Sequence, residues 1–398
     1  MMKIRLLLLI SCLHCATAMA GNDVSFIRET IAAAHPDIGF SANSAVVNKA
    51  LDAMQMQPGM PRDEAWRRLS RLNPLFADAH LFVGYADWRG DTTAHLQAGG
   101  GLFPFEVDID DGQPVIRASL GGGATGLAGA RIVSINGVPA DAAVVELVQH
   151  AHGDTALFRS HLAAQRWWLY HWKIYGAPSH YKLELARDGR NWLVDVPASQ
   201  QAPAVLQQEG NFNFEITPGG AVLTVSTFDG AHKERFLSLT RTAFTRMRDE
   251  GVATLTIDIS DNGGGDDDMW LEGLMPYLAT KPYRTGSTYI RKAASGETVN
   301  GQIETWRQPQ PGNPLLFKGK VLVRIGPATY SSAILFANVM QDFGFATLIG
   351  IGNAARRTQS GGIRKFTLPN SGLVLWVPRF VLDPPAGVAD RTALLAPR

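Results

Sequence analysis

The sequence predicts an α/β fold in three parts: a small helical region, a β-rich middle and a parallel α/β core. Apolar residues recur at three- and four-residue spacing from about residue 24 to 75, which indicates helices. Apolar and polar residues alternate in short runs from about residue 103 to 200, which indicates half-buried strands. From about residue 211, apolar runs of strand length alternate with helical stretches, as in proteins with a parallel sheet.

The amino-terminal segment predicts a secretory signal. Lys3 and Arg5 precede an apolar run that starts at Leu6, and Ala18-Met-Ala20 offers small residues for cleavage. We therefore expect cleavage after Ala20 and a periplasmic or secreted protein. The apolar run is too short to span a bilayer, so no transmembrane segment is expected.

A lipoprotein signal is the alternative for the same segment. Leu9-Ile-Ser-Cys12 resembles a lipoprotein cleavage box, which would place a lipid anchor on Cys12. If cleavage follows Ala20 instead, both Cys12 and Cys15 leave with the signal. The mature chain then has no cysteine nucleophile, disulfide or thiolate metal site.

The charge balance excludes polyanionic partners. The chain carries 37 basic and 36 acidic residues, for a net charge of +1, with no long run of either sign. A protein that binds nucleic acid or an anionic membrane surface usually shows a basic patch or stripe. We expect neither partner.

The helical region and the strands follow directly from residue periodicity. Ile27 and Ile31 begin the helical pattern, and Val47, Leu51 and Trp66 continue it. The strands that we expect in the middle region are 105–109, 181–185 and 192–196, each bounded by Gly, Asp or Pro. Between them, the aromatic-rich segment 163–175 predicts a buried helix in preference to a ligand-stacking site.

Residues from 211 onwards predict the parallel core. Its strands are expected at 222–225, 254–257 and 321–323, and its helices near 231–249, 266–278 and 331–343.

A glycine loop follows the second core strand. Asn262-Gly-Gly-Gly265 precedes a helix that starts in Asp266-Asp-Asp268, and glycines expose backbone N–H groups to a close ligand. Alone, this pattern is typical of a tight turn whose aspartates complement the helix dipole. A metal site is not expected there.

A second candidate segment follows the third core strand. Thr329-Tyr-Ser331-Ser332 opens a helix, where unpaired backbone N–H groups point outward. Spacing alone favours a helix cap at Ser331 or Thr329 over a nucleophile.

In combination, these segments resemble the carboxyl-terminal processing peptidases (tail-specific proteases), serine peptidases with a ClpP/crotonase-like catalytic core. Asn262-Gly-Gly-Gly matches the glycine loop of that family, and Thr329-Tyr-Ser331-Ser-Ala matches its nucleophile segment. Gln341-Asp-Phe-Gly344 matches the end of the nucleophile helix, 126–137 resembles the PDZ-like domain, and 366–373 resembles a late strand pair. The resemblance covers about residue 75 to nearly the end.

The resemblance divides the chain into four segments. They are a signal peptide at 1–20, a helical region at 21–75, a PDZ-like region with a helical insertion at 76–205, and a ClpP/crotonase-like serine peptidase core at 206–398.

The base that would activate the serine differs between branches of this family. Many members use lysine, but the corresponding loop here offers Arg356 and Arg357, which stay protonated, and Lys365 falls in the next strand. The tricorn-like branch uses histidine, which corresponds to His80 in Asp78-Ala-His80. A neutral imidazole can accept the serine proton.

Other site residues are less sharply defined. His95 is the rival for the base. The acid of tricorn-like members has no clear counterpart near the C-terminus, so Asp383 or Asp342 would supply it, or no residue would. The resemblance implies an oxyanion hole made by N–H groups of Gly264 or Gly265 and of Ser332.

The implied function is an exported serine endopeptidase. His80 would take the proton of Ser331, and Ser331 would form an acyl-enzyme with a protein or peptide substrate, without a cofactor. The alternative is a non-catalytic peptide- or small-ligand-binding protein on the same fold. The missing lysine and acid, and retinoid-binding relatives of the family, leave that alternative open.

Overall fold

A computed structural model describes residues 22–207, 212–293 and 295–397. The predicted signal peptide, with Cys12 and its proposed cleavage site after Ala20, lies outside the described residues. Within the described ranges, no helix has the length and apolar character needed to cross a membrane.

The chain begins with short helices packed on a three-residue strand. In α1, Asn22 accepts a hydrogen bond from the N–H of Ser25, and Ile27 and Ile31 are buried. These spacings follow the apolar periodicity of the sequence. The elements are α1 (Asp23–Ala34), α2 (Ser44–Ala53), α3 (Arg62–Leu69), α4 (Asn73–Phe76), β1 (Phe82–Gly84) and α5 (Trp88–Gln97).

The middle of the chain forms an antiparallel sheet with four helices among its described residues. Its strands run in the order β2, β3, β4, β6, β7, with β5 beside β4. Trp167 and Trp168 are fully buried. The segment 163–175, predicted as one buried helix, forms the end of α7 and the whole of α8. The elements are β2 (Phe105–Asp110), β3 (Gln113–Ser119), β4 (Arg131–Ile135), β5 (Val138–Pro139), α6 (Ala140–Val148), α7 (Ala156–Gln165), α8 (Trp167–Tyr175), β6 (His180–Arg187), β7 (Arg190–Pro197) and α9 (Ala204–Gln207).

The last half of the described chain forms the α/β core. The elements are β8 (Phe212–Thr217), β9 (Gly220–Val225), α10 (Lys233–Asp249), β10 (Thr254–Asp258), α11 (Asp267–Gly273), α12 (Met275–Leu278), β11 (Thr288–Lys292), β12 (Thr298–Gln302), β13 (Lys320–Ile325), α13 (Ser332–Asp342), β14 (Thr347–Gly350), β15 (Gln359–Gly361), β16 (Arg364–Thr367), β17 (Val374–Val377) and β18 (Phe380–Leu382).

The central sheet of this core has the order β14, β13, β10, β9, β8. Its first four strands are parallel, and β8 pairs with β9 in the antiparallel sense. Helix α13 lies under the sheet, and its residues from Ser332 to Met340 are all buried. The parallel core is therefore as expected, with one antiparallel edge strand.

Two smaller sheets join distant parts of the chain. Strand β1 pairs with β17, where Phe82 lies opposite Trp376, and β17 continues to β16. Strand β15 pairs with β18 in the order β12, β11, β18, β15. These pairings bring the segment around residue 80 to the carboxyl-terminal third of the chain. The predicted boundaries at 21–75, 76–205 and 206–398 stay predictions.

Candidate active site

Ser331 lies on a sharp turn between β13 and α13. Its backbone has φ 55° and ψ −126°, a conformation that a residue with a Cβ atom rarely adopts. Such strain costs on the order of 1–3 kcal/mol and persists only where the surroundings hold it. The hydroxyl-bearing carbon therefore sits at a fixed position at the start of the helix.

The surroundings that hold this turn are the glycine loop and the end of β10. The N–H of Tyr330 donates to the carbonyl of Asn262 at 3.0 Å, and the hydroxyl of Thr329 donates to the carbonyl of Ile259 at 2.8 Å. Asn262 is itself buried and donates to the carbonyl of Val225. The two segments that the sequence singled out are therefore in direct contact.

Gly264 lies directly against Ser331. A Cβ atom added to it would lie 2.7 Å from Cβ of Ser331 and 2.9 Å from the backbone N of Ser332, and its φ is +99°. Only glycine fits this close approach. The loop thus packs its backbone on both Ser331 and the amide that follows it.

The three amides expected to form an oxyanion hole differ in their partners. The N–H of Gly264 donates to Oδ1 of Asn262 at 2.8 Å, so it is already engaged. For the N–H groups of Gly265 and Ser332, no acceptor lies among the residues that the structure describes. Gly265 and Ser332 are therefore the amides free to receive an oxyanion.

His80 is buried and contacts two side chains, that of Tyr330 before α13 and that of Ser360 after it. Its Nδ1 lies 3.0 Å from Oγ of Ser360, and the hydroxyl of Ser360 donates to Oδ1 of Asp78 at 2.8 Å. The imidazole packs on the ring of Tyr330 with a centroid distance of 4.9 Å. No hydrogen bond joins His80 to Ser331 among the described residues.

The hydrogen bonds assign the tautomer of His80. The hydroxyl of Ser360 has one proton, which it donates to Asp78. It can then only accept from Nδ1, so Nδ1 carries the imidazole proton and Nε2 keeps its lone pair. Burial lowers the pKa of His80 to about 4, although the charge of Asp154 acts in the opposite direction. His80 is thus neutral at pH 7 and able to accept a proton at Nε2.

A second buried carboxylate, Asp154, completes the network behind His80. The hydroxyl of Tyr330 donates to Oδ1 of Asp154 at 2.7 Å and lies 3.3 Å from Oδ1 of Asp78. Burial raises the pKa of both carboxyl groups, that of Asp154 to about 6. The guanidinium of Arg356, 3.6 Å from Asp154, opposes that rise.

Strand β15 touches both halves of the site. Oε1 of Gln359 accepts a hydrogen bond from the N–H of Ser331 at 3.1 Å, and the next residue, Ser360, contacts His80. Both side chains are buried. The nucleophile and the histidine are therefore positioned by adjacent residues of one strand.

The two acids proposed from sequence lie elsewhere. Asp342 is the last residue of α13, about 16 Å along the helix from Ser331 at 1.5 Å per residue, and its carboxylate binds Arg357. Asp383 accepts hydrogen bonds from Arg391 at 2.8 Å and from Thr288 at 2.6 Å. These arginines hold both carboxylates in place, and the structure does not bring either of them to His80.

The other candidate bases are also engaged away from Ser331. Nζ of Lys365 lies 4.3 Å from the ring centroid of Trp376. His95 stacks on Trp172 at 4.1 Å, and its Nε2 lies 3.1 Å from the carbonyl of Gly101. Of the predicted bases, His80 is the one that shares a hydrogen-bond network with the neighbours of Ser331.

Sequence reasoning missed Asp78, Ser360, Gln359 and Asp154 as parts of the site. Asp78 stands two residues before His80, a spacing that could have marked it as a partner. Along the chain, Gln359 stands 28 residues from Ser331, Asp154 74 residues from His80 and Ser360 280 residues from His80. No local pattern sets these three apart, because their contacts depend on a strand register that the sequence does not give.

No cluster of three or more His, Cys, Asp or Glu residues that could hold a metal ion occurs within the described ranges. The arrangement instead offers a strained serine, a neutral imidazole with a free Nε2, and two unpaired amides. Those are the parts that acyl transfer requires.

Comparison with known proteins places this geometry in context. Residues 220–383 match the model of Peptidase family S41. No curated protein sequence is significantly similar to the chain.

Solved structures resemble the chain over nearly its whole length. Mature CPAF has a TM-score of 0.66 and 15% sequence identity, covering 94% of this chain and 91% of that chain. Mature CPAF complexed with lactacystin has a TM-score of 0.64 and 14% identity, covering 94% and 92%. The photosystem II D1 C-terminal processing protease has a TM-score of 0.47 and 16% identity, covering 94% and 91%. The likeness to CPAF confirms the expected α/β fold class. At such low identities it does not assign roles to the site residues.

Proposed function

We propose that this chain, whose residues 220–383 match the model of Peptidase family S41, is a serine peptidase in which Ser331 is the nucleophile and forms an acyl-enzyme with a peptide substrate. The observation that carries the proposal is the conformation of Ser331, held at positive φ against Gly264 and beside an unpaired amide at Ser332. A plain helix cap has no need of this strain, since ordinary caps adopt extended backbone.

His80 is the proposed general base. Its neutral ring, its free Nε2 and its packing on Tyr330, the residue before the nucleophile, support this role. The Ser331 hydroxyl must move into hydrogen-bond reach of Nε2 when substrate binds, as catalytic hydrogen bonds often tighten only in the substrate complex. The proton would pass from Oγ of Ser331 to Nε2 and then to the leaving amine.

We propose that Asp78 acts on His80 through Ser360. Nδ1 of His80, Oγ of Ser360 and Oδ1 of Asp78 form a continuous chain of hydrogen bonds at 3.0 and 2.8 Å. This chain fixes the tautomer and favours the imidazolium as it forms. Asp342 and Asp383, bound to arginines, are less suited to that role.

Gly265 and Ser332 are the proposed oxyanion donors. Their amides lie on the two segments that meet at Gly264, and the described residues leave both unpaired. Gly264 would then act by its small size, since its own N–H is bound by Asn262.

The finer features of the function are proposals from sequence. We propose an exported endopeptidase that acts on proteins or peptides in the periplasm or outside the cell, on the basis of the Lys3, Arg5 and Ala18-Met-Ala20 pattern. Lipid attachment at Cys12 stays an alternative.

A second candidate function is a non-catalytic peptide- or ligand-binding protein. The observation that favours it is the lack of a hydrogen bond between His80 and Ser331 in the described part of the chain. The strain at Ser331 favours the enzyme, because a binding protein would gain stability by relaxing it.

A fluorophosphonate probe separates the two functions. We expect purified protein to be labelled at Ser331, as located by mass spectrometry, and labelling to be lost in Ser331→Ala. An activated serine should also depend on His80, so His80→Ala should label far more slowly. Absence of labelling in a sample that unfolds cooperatively would contradict the peptidase proposal and favour the binding protein.

A further inference from the structure

We propose that a cavity beside the catalytic histidine, with Arg166 in its wall, binds a carboxylate of the substrate together with the apolar group next to that carboxylate. The inference rests on the proposed function only in calling the ligand a substrate. It follows from the lining of the cavity, from the unpaired guanidinium and from the position of β1.

The cavity has the size and chemistry of a subsite for one residue. Its volume is about 150 Å³, about that of a cavity that accommodates a benzene-sized group. Most of its wall is aromatic or aliphatic, and the polar groups are few; it includes Trp66, Phe82, Trp88, Leu169, Tyr170 and Trp376. A pocket of this kind orients its ligand through its few polar atoms.

Arg166 is the charged group in this wall. It lies at the junction of α7 and α8, and its Cζ is 4.7 Å from the ring centroid of Trp88. Across the described ranges, no carboxylate lies within 4 Å of its guanidinium, and no residue accepts a hydrogen bond from it. Burial lowers the pKa of Arg166, and the charge of Arg89 acts in the same direction.

Neighbouring groups increase the attraction for an anion. The guanidinium of Arg89 lies 4.2 Å from the centroid of the same Trp88 ring, so two cations flank one indole. Tyr170 lines the cavity, and burial raises the pKa of Tyr170 to about 12, so its hydroxyl keeps its proton and can donate. A carboxylate could therefore accept hydrogen bonds from Arg166 and Tyr170 together.

Two carboxylates contact residues of the cavity wall, and each of them is paired with a cation. Asp63 binds Lys173 and the hydroxyl of Tyr85. Glu146 binds Arg71 and His150. A carboxylate bound in the cavity would give the guanidinium of Arg166 a charged hydrogen-bond partner, which the described residues do not provide.

The position of the cavity ties it to the catalytic site. Phe82, Val83 and Gly84 of β1 line it, and β1 begins two residues after His80, a reach of about 7 Å in extended chain. The ring of Phe82 stacks on His152 at 3.9 Å and on Trp376 at 5.2 Å, and all three residues line the cavity. Burial lowers the pKa of His152, and the charge of a protonated His80 adds a smaller effect in the same direction, so His152 also lies close to His80.

Binding of small probes tests the inference without hydrolysis. We expect N-acetyl-phenylalanine to bind wild-type protein in calorimetry at least tenfold more tightly than N-acetyl-phenylalaninamide, because the amide has no carboxylate. Arg166→Gln should remove that preference, and Arg166→Lys should retain part of it. Equal binding of acid and amide, or a preference that survives Arg166→Gln, would overturn the inference.

A third probe distinguishes the source of the carboxylate. N-acetyl-glutamate amide presents only a side-chain carboxylate, whereas N-acetyl-phenylalanine presents a terminal one. Tighter binding of N-acetyl-phenylalanine supports recognition of a chain end. Tighter binding of N-acetyl-glutamate amide, if lost in Arg166→Gln, supports the carboxylate site and assigns it to acidic side chains.

A matched control separates a ligand site from a structural arginine. Arg187 also stacks on an indole, that of Trp192 at 5.8 Å, but it donates to the carbonyls of Gly126 and Ala128. Arg187→Gln should lower the melting temperature and leave probe binding unchanged. Arg166→Gln should leave the melting temperature unchanged or raise it, since it removes an unpaired charge. Because fluorophosphonate labelling at Ser331 is measured separately, failure of this site and failure of the peptidase proposal are distinguishable.

Discussion

The segment that carries Ser331 and the segment that carries His80 are built in different ways. Ser331 is positioned mainly by the end of β13, the start of α13 and the glycine loop after β10, and its N–H also donates to Gln359 of β15. His80 is positioned by residues far along the chain, since Ser360 is 280 residues away and Tyr330 lies in the core.

This difference explains which half of the site the sequence predicted. A strand, a turn and a helix leave a local pattern, so Thr329-Tyr-Ser331-Ser could be compared with a family motif. The partners of His80 depend on the pairing of β1 with β17 and of β15 with β18. Local periodicity predicts a strand but does not show which strand it pairs with. The family resemblance indicates a catalytic acid near the C-terminus, whereas the acid proposed from the structure, Asp78, stands two residues before His80.

The sharpest test of the comparison replaces the histidine. His80→Ala should lower the rate of fluorophosphonate labelling by about a hundred- to ten-thousand-fold, because it removes the proposed general base. His95→Ala is the matched control and should label at the wild-type rate. If His95→Ala were the variant that lost labelling, the assignment of the base would be wrong.

The next test addresses the glycine loop. Gly264→Ala should reduce labelling about a hundred- to a thousand-fold, because a Cβ there would displace Ser331 and the amide of Ser332. Gly263→Ala is the control, since no atom lies within 4 Å of a Cβ at that position. Equal rates in both variants would show that the close approach of Gly264 does not matter for the nucleophile.

A smaller effect is expected from the chain of hydrogen bonds behind His80. Asp78→Asn and Ser360→Ala should each lower the labelling rate about ten- to a hundred-fold, because His80 loses the groups that fix its tautomer. Asp342→Asn should affect the melting temperature through its contact with Arg357 and leave labelling intact. A large loss of labelling in Asp342→Asn would restore the acid first proposed from sequence.

The smallest effect concerns pH. A base must be neutral to accept a proton, and burial lowers the pKa of His80 to about 4. Labelling by wild-type protein should therefore change less than tenfold between pH 7 and pH 5 and fall only as pH approaches 4. A fall centred near pH 6.5 would mean that the imidazole is better solvated than its burial indicates.

The pH experiment needs a parallel measurement of stability. Burial also lowers the pKa of His35 and His171 to about 4, below the value of 6.5 expected in the unfolded chain. The unfolded chain then binds more protons between pH 6.5 and pH 4, so these histidines lower the free energy of unfolding as pH falls through that window. Asp154, whose pKa is raised to about 6, acts in the opposite direction below pH 6. A melting temperature at each pH separates loss of the base from loss of the fold.

The fold was easier to predict than the site. The apolar runs at 222–225, 254–257 and 321–323, separated by helical stretches, sufficed to predict the parallel core, because buried parallel strands are almost uniformly apolar. The antiparallel edge strand β8 and the break between α7 and α8 at Arg166 have no such signal. The unpaired state of Arg166 is likewise a property of the packed chain.

The pairing of β1 with β17 sets the order in which the site can be assembled during synthesis. The ribosome releases His80 280 residues before its partner Ser360 and 294 residues before the start of β17 (Val374–Val377), which pairs with β1. During that interval the nascent chain carries His80 without Ser360 and without the strand that pairs with β1. The groups of the proposed site can therefore come together only after β15 and β17 have been made.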